Sequence, residues 1–486
     1  MSTFNPFEEF EVPVKIAVLV VAYNAEKTLG QVLDRIRPDM VARISSVIVC
    51  DDSSTDNTFN VALDYHQTHS QLPLHIVRNP TNLGYGGNQK TGYRIAHENG
   101  ADIVILLHGD GQYAPEILSD IVAPFEDKSV DAVFGSRMMT PGAARTGGMP
   151  LYKYYGNKTL TRLENMLAGA NLTEWHSGYR AYRMSTLHDL PLNKNSDGFD
   201  FDTQIILQLL ERKATIVEVP IPTYYGDEIC YVDGLQYARQ IMWHALKFRL
   251  GMMGFGGTRS AHNITYEHKA DPMSSHGQLM TYIATRPAGV LVDLGCSDGS
   301  LTSEFKKQGH HVIGVDLNHH HGVEDNVDSF IQCNLDDGLP ASLQDKIDIV
   351  VCADVLEHVR NPQQILEQLR PNMNHGGVVI ASIPNFGHWY PRIRTALGLF
   401  DYDRRGILDD THVRFFTRRS FERTARSAGY NVKRIGYTSL PFEIVSRGGS
   451  GRVLSVLLKP FEIVDRILVQ VRPQFFAYQF LYELRP

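Results

Sequence analysis

The sequence predicts an α/β protein built from two open, mostly parallel sheets in tandem, one within residues 1–235 and one within 276–440. Three observations carry that prediction. Apolar, β-branched runs alternate with helical stretches through both halves of the chain. Several of those runs stop abruptly in turns rich in aspartate and glycine. In a parallel sheet such turns share one edge, which is where open α/β sheets bind ligands. Finally, 486 residues suit about two to four domains.

In the first half, Val14 to Val21 is a strand that runs into Ala22-Tyr23-Asn24, and a helix follows over about 26–37. Ile44 to Cys50 is the second strand, ending in Asp51-Asp52-Ser53-Ser54, with a helix from about Asn57 to His69. A third strand near His75 to Val77 precedes the glycine-rich Leu83-Gly84-Tyr85-Gly86-Gly87 and another helix. Ile103 to Leu107 is a buried strand that breaks at His108-Gly109-Asp110-Gly111-Gln112, and Pro115 suits the first turn of a following helix. One strand-end aspartate is often only a helix cap. Three such turns beside a glycine-rich loop predict a nucleotide crevice, with an aspartate placed to hold a divalent cation against a diphosphate.

Farther on, Gly135-Ser136-Arg137 follows the strand Ala132 to Phe134, and a helix is expected over about Lys153 to Ala168. His176-Ser177-Gly178-Tyr179-Arg180 supplies a second arginine, suited to stabilising negative charge on a departing diphosphate. Asp200 and Asp202 open a helix running to Arg212, each suited to be an N-cap or a general base toward a hydroxyl acceptor.

These segments resemble, in their order, family-2 glycosyltransferases of the GT-A fold, in particular the dolichyl-phosphate-mannose-synthase-like group: AYN, VIVCDDSSTDNT, NLGYGGNQKTGYRIA, LHGDGQYAPE, FGSRM. The resemblance spans about residues 10–235. It implies nucleotide-sugar contacts at Ala22, Tyr23, Asn24, Asp51, Asp52, Gly84 and Gly109, and a Mg²⁺ or Mn²⁺ held by His108, Asp110 and Gln112. It implies catalytic roles for Arg137, Arg180 and Asp202. His108 stands where the family carries an aspartate, and imidazole suits Mn²⁺ better than Mg²⁺. The basic element that often follows Glu218-Val219-Pro220-Ile221-Pro222 is replaced by Tyr224-Tyr225-Gly226-Asp227-Glu228, which weakens the case for a polyprenyl-phosphate acceptor and leaves open a sugar hydroxyl on a growing glycan.

An amphipathic helix (about Tyr237 to Leu250) and a glycine-, serine- and histidine-rich stretch form the join, residues 236–275. In the second half, Val290 to Leu294 enters the turn Gly295-Cys296-Ser297-Asp298-Gly299, and the next strand ends at Asp316, 23 residues after Asp293. An acid about 20 residues on, at the end of the second strand, suits a ribose diol. GxGxxG is absent. The series DLGCSDG, GVD, CNLD, DIVVCADVLEHV, HGGVVIASIPN resembles class I S-adenosylmethionine-dependent methyltransferases. That resemblance implies cofactor contacts at Asp293, Gly295, Gly299, Asp316, Asn334 and Leu335, with His358 as a candidate base and His388, Trp389 and His412 on the acceptor side. Both halves are thus expected to be Rossmann-like sheets, followed by a helical, aromatic-rich tail over 441–486.

Composition narrows the function. A formal charge of −7 argues against nucleic acid as a partner, and five scattered cysteines without a CxxC pair argue for a reducing compartment. No apolar run reaches the roughly 18 residues of a membrane span, and the acidic start reads as no secretory signal. Between Arg392 and Arg434, however, eleven Lys/Arg stand against five Asp/Glu, either a solvated surface or a patch facing anionic lipid or an anionic substrate, and the apolar tail either packs onto the methyltransferase sheet or lies as a peripheral helix on the inner face of the membrane beside that patch. The expected protein is therefore a cytoplasmic bifunctional transferase in surface glycan or glycolipid synthesis. The alternative is a methyltransferase with a non-catalytic sugar-nucleotide-binding module.

Overall fold

The computed structural model describes residues 14–224, 233–252, 272–343, 346–441 and 451–486, with backbone alone over 451–458. The chain divides near Arg249 into two compact units, each containing one seven-stranded sheet.

The strands of the first unit are β1 (Ile16–Ala22), β2 (Ile44–Asp51), β3 (Leu74–Arg78), β4 (Ile103–His108), β5 (Ala132–Ser136), β6 (Arg180–Arg183) and β7 (Ile216–Pro220). Their order across the sheet is β3-β2-β1-β4-β6-β5-β7. The pairs β2–β3, β1–β2 and β1–β4 are parallel, and β6 runs antiparallel between β4 and β5. β1 is apolar at every position because both its faces are covered. Ile16, Val18 and Val20 pack into one core cluster with Leu29, Val32 and Leu33, whereas Ala17, Leu19 and Val21 pack into another with Tyr93, Phe201 and Ile205. The helix expected at Pro115 is a 3₁₀ turn, Pro115–Ile117, leading into a short helix, Leu118–Val122. The joining helix Gly234–Met252 buries Ile241, Ala245 and Arg249, and Phe248 packs on the second cluster, so its apolar stripe belongs to the first unit.

The second unit comprises β8 (Val290–Leu294), β9 (His311–Asp316), β10 (Ser329–Gln332), β11 (Ile347–Ala353), β12 (Met373–Pro384), β13 (Asn431–Thr438) and β14 (Gln479–Arg485), in the order β10-β9-β8-β11-β12-β14-β13. Helix Ser275–Ile283, capped by Ser274, opens this unit. The tail is helical over Gly451–Val471, but its end is a strand. β14 lies antiparallel between β12 and β13, and Phe480, Leu481, Tyr482 and Leu484 are core residues. Buried on both faces, β14 has no period-2 pattern that would distinguish it from an apolar helix. Its Glu483 is also fully buried, paired with Arg286 and Tyr282. Residues 225–228, including the Asp227-Glu228 replacement, lie outside the described residues, as do residues 253–271 of the expected join.

Candidate functional site

Strand register brings the first group of predicted residues together. Ala22 pairs with Asp51, and Val21 with His108, so the ends of β1, β2 and β4 meet at one edge. The turns there are tightly tied. Asn24, at φ 52°, accepts from the Thr55 amide at 2.9 Å, and its own amide donates to the Ser54 hydroxyl at 2.9 Å. Asp51 is fully buried, accepts from the Ser54 hydroxyl and lies 3.3 Å from Arg78 Nε. Tyr23 is 40% exposed at this edge.

Asp52 is placed differently. Its carboxylate accepts from Asn79 (2.8 Å) and from the amides of Leu83 and Gly84 (2.9 Å each), so it braces the glycine-rich loop from beneath. At Gly84 a Cβ would meet the Asp197 carbonyl oxygen at 2.6 Å, so glycine is required there for chain packing. Gly109 packs its backbone on β1, and its carbonyl accepts from Thr28 at 2.7 Å.

In the turn after β4, Asp110 is exposed, with Oδ1 accepting from the Gln112 amide at 3.0 Å. His108 is wedged between Tyr85 and Tyr113, and a Cβ on Gly178 would fall 2.7 Å from its ring. The Tyr85 hydroxyl donates to Asp202 Oδ2 at 3.0 Å. Its single proton is thereby committed, so His108 Nε2, 3.1 Å from the same oxygen, must donate. Nδ1 is left as the lone-pair nitrogen. Burial holds the imidazole below its ordinary pKa, against a contrary pull from Asp110. A neutral imidazole with a bare Nδ1, the Asp110 carboxylate and the Gln112 side-chain carbonyl oxygen are donor types suited to a divalent cation.

The arginines do not stand free at this edge. Arg180 is 1% exposed, donates to the carbonyls of Trp175, Ser177 and Asp202 at 2.7–3.1 Å, and stacks on Phe134. Arg137 is clasped by the buried Glu174, whose carboxyl stays below its ordinary range, despite burial, because of that guanidinium and the Asn157 amide. Asp202 holds Tyr85 through one oxygen and Gln89 (3.2 Å) through the other. Asp200 binds Ser196 (2.7 Å) and His244 (2.8 Å). Sequence reasoning missed Tyr85, Glu174 and His244 as functional neighbours. Tyr85 sat inside a quoted motif, but Glu174 and His244 had no sequence signal.

In the second unit the cradle is a turn of left-handed residues, with Gly295 at φ 74°, Ser297 at 52° and Gly299 at 76°. Asp316 accepts from Ser297 N at 2.8 Å through one oxygen and from Asn318 N at 2.9 Å through the other. Each oxygen keeps a lone pair for a ribose hydroxyl, so the donor set fits a nucleoside. Asp293 is buried against Thr302 Oγ1 (2.6 Å), and burial pushes its carboxyl up to about 7. Asn334 Oδ1 accepts from Asp336 N at 3.1 Å, and Leu335 begins that same turn. His358 is exposed. His388 is buried, and burial pushes its imidazole down to about 4, so the ring is neutral, its Nδ1 accepting from Tyr390 N.

Residues 17–190 match the family described as Glycosyl transferase family 2, and residues 267–435 match a Methyltransferase domain. The chain joins a family-2 glycosyltransferase domain to a methyltransferase domain. The glycosyltransferase domain is 29% identical over 222 residues to the UDP-N-acetylglucosamine–dolichyl-phosphate N-acetylglucosaminyltransferase of Methanococcus voltae, covering 44% of this chain and 86% of that protein. It is 28% identical over 254 residues to the undecaprenyl-phosphate mannosyltransferase of Micrococcus luteus, covering 49% of this chain and all of that one. Among solved structures, glucosyl-3-phosphoglycerate synthase from Mycobacterium tuberculosis, in complex with UDP, matches at TM-score 0.37 and 20% identity over 49% of this chain and 80% of that one.

Proposed function

We propose that the glycosyltransferase domain moves a sugar, with inversion, from a nucleoside-diphosphate sugar to a polyprenyl-phosphate-type acceptor. We further propose that the methyltransferase domain uses S-adenosylmethionine to methylate an acceptor in the same glycan or glycolipid chemistry. The observation that carries the first reading is the β1–β2–β4 register, which gathers Asn24, Asp51, His108 and Asp110 at one edge. A Mg²⁺ or Mn²⁺ at this edge supplies charge neutralisation for the departing diphosphate, and an imidazole among its donors favours Mn²⁺. Asp110 and Gln112 would hold it, with His108 Nδ1 completing the set. Tyr23 and Asn24 would orient the nucleoside. A phosphate acceptor arrives ionised and needs no base. That accords with an Asp202 whose oxygens are engaged by Tyr85 and Gln89, and with relatives whose names specify lipid-phosphate acceptors.

In the methyltransferase domain, Gly295 and Gly299 would let the cofactor lie on the backbone, Asp316 would accept from its ribose, and the Asn334–Leu335 turn would flank its adenine. Peripheral membrane contact is supported by the helix Gly451–Val471, which exposes Phe461, Val464, Ile467 and Val471. Among the described residues no helix is long and apolar enough to cross a membrane.

The deciding experiment measures metal-dependent nucleotide release by the full chain with a polyprenyl phosphate and Mn²⁺. Asp110→Ala should abolish it, whereas unchanged release would overturn the metal assignment. The locked Arg137 and Arg180 favour one second reading, a methyltransferase with a non-catalytic sugar-nucleotide module. Binding of UDP-sugars without any turnover would establish that alternative.

A further inference from the structure

Glu357, His358 and His412 bring their ligating atoms within 4.8 Å of one another, in a cluster separate from the Asp110 turn and belonging to the other unit. Two loops build it. Ala353 ends β11, and the chain then turns through Asp354, at φ 58°, into 355–358. His412 comes from a segment more than fifty residues later. The loops are stitched together at several points. The Glu357 carbonyl accepts from Val413 N (3.0 Å) and Arg414 N (2.9 Å), while the Arg360 carbonyl accepts from the Arg414 guanidinium at 2.9 Å.

Each imidazole is held by a backbone carbonyl. His358 Nδ1 lies 3.1 Å from the Thr411 carbonyl oxygen, and His412 Nδ1 lies 3.2 Å from the Ile407 carbonyl oxygen. A carbonyl can only accept, so each Nδ1 carries the proton and each Nε2 keeps a bare lone pair. A backbone carbonyl on the distal nitrogen is the usual device that fixes the tautomer and ring plane of a ligating histidine. The third ligand is the carboxylate of Glu357, a residue 1% exposed.

We infer that Glu357, His358 and His412 form a binding site for a divalent transition-metal ion in the methyltransferase domain. Two imidazoles and one carboxylate are the donor set of borderline cations such as Zn²⁺, Co²⁺, Mn²⁺ or Fe²⁺, not of Mg²⁺. An ion bound tetrahedrally at about 2.1 Å holds its donors about 3.4 Å apart, so a cluster now within 4.8 Å closes by up to about 1.4 Å on binding. The exposed His358 side chain supplies that movement.

Three protein ligands leave a coordination position open, the arrangement of a metal that meets substrate. The site is also tied to the cofactor cradle. Val355, in the same turn as Glu357, packs where a Cβ on Gly295 would stand, with Cγ2 2.5 Å from that point. An oxygen donor on the methyl acceptor is the natural occupant of the open position. That last step rests on the methyl-transfer reading, whereas cation binding stands on geometry alone.

The test titrates Co²⁺ into metal-stripped full chain carrying Asp110→Ala, which removes the other candidate metal turn, and follows visible d–d absorption and stoichiometry. One equivalent with tetrahedral or five-coordinate bands, displaced by Zn²⁺ and not by Mg²⁺, is expected. His358→Ala and His412→Ala should each weaken it about tenfold or more. Because His358 is exposed, its variant remains folded and decides the matter if His412→Ala does not fold. Absence of a bound equivalent, or binding that His358→Ala leaves unchanged, overturns the site. If Co²⁺ binds but methyl transfer is indifferent to it, the site stands and its link to the acceptor falls.

Discussion

Tyr85 donates its hydroxyl proton to Asp202 at 3.0 Å, tying the start of one helix to the start of another, and its oxygen takes the Nε2 proton of His108. One phenol thus sets both the tautomer of the imidazole and the position of the acid. Tyr85→Phe removes both bonds while keeping the ring that stacks on Phe199. A hydrogen bond to a charged group is worth about 1.5–3 kcal/mol. The variant should lose about that much in chemical denaturation, and its requirement for Mn²⁺ in sugar transfer should rise because Nδ1 is no longer the fixed lone-pair nitrogen. Unchanged stability together with an unchanged metal dependence would show that the bridge has no role.

Arg180 is the opposite case, a motif arginine that the fold consumes. Three backbone carbonyls, the Phe134 face and the neighbouring Asp202 carboxylate surround it. Its guanidinium stays firmly charged despite burial because Asp202 favours the cation. Removing one partner of a buried pair costs about 3–5 kcal/mol. Arg180→Ala should therefore fail to accumulate or should melt far below the parent chain. Arg180→Lys keeps the charge but cannot reach three carbonyls, and should also be destabilised. An Arg180→Lys chain with parental melting and reduced turnover would instead assign the residue to the chemistry.

Turn geometry set by neighbouring residues was legible in the sequence. Asp110 closes its own turn through Gln112, and Gly295 and Gly299 adopt the left-handed conformations that a glycine turn announces. What sequence could not reveal were pairings across long separations. Arg137 meets Glu174 across 37 residues of sequence, in a segment whose Thr173 and Glu174 amides donate to Glu218, at the start of the Glu-Val-Pro segment. Asp52 belongs to the loop it braces, a distinction from Asp51 that only the register of β2 creates. The last strand was hidden because full burial erased its alternation.

The helix Gly451–Val471 carries Phe461, Val464, Ile467 and Val471 on one face, each more than half exposed. Spacing of three to four residues makes this an amphipathic stripe suited to lie in a membrane interface. The full chain should float with vesicles containing phosphatidylglycerol, and the double change F461E/I467E should leave it in the soluble fraction. High salt should weaken flotation without abolishing it, since only the basic contribution is screened. Flotation that survives the double change would exclude this face as the membrane contact.

Asp293 offers a test by pH. Burial raises its carboxyl from an ordinary value of about 4 to about 7, with nearby Asp316 adding to the shift and the Thr302 hydroxyl opposing it. The folded state therefore binds this proton more tightly than the unfolded chain. The associated stability is present below about pH 4 and is lost as pH rises through about 7. At one pKa unit per 1.4 kcal/mol, the loss is at most about 4 kcal/mol. Asp293→Asn cannot titrate, so the melting transition of the methyltransferase domain should fall between pH 5 and pH 8 in the parent chain and fall less in the variant. The variant should be the more stable of the two at pH 8. Parallel pH profiles for the two chains would mean that Asp293 is already ionised in the folded state.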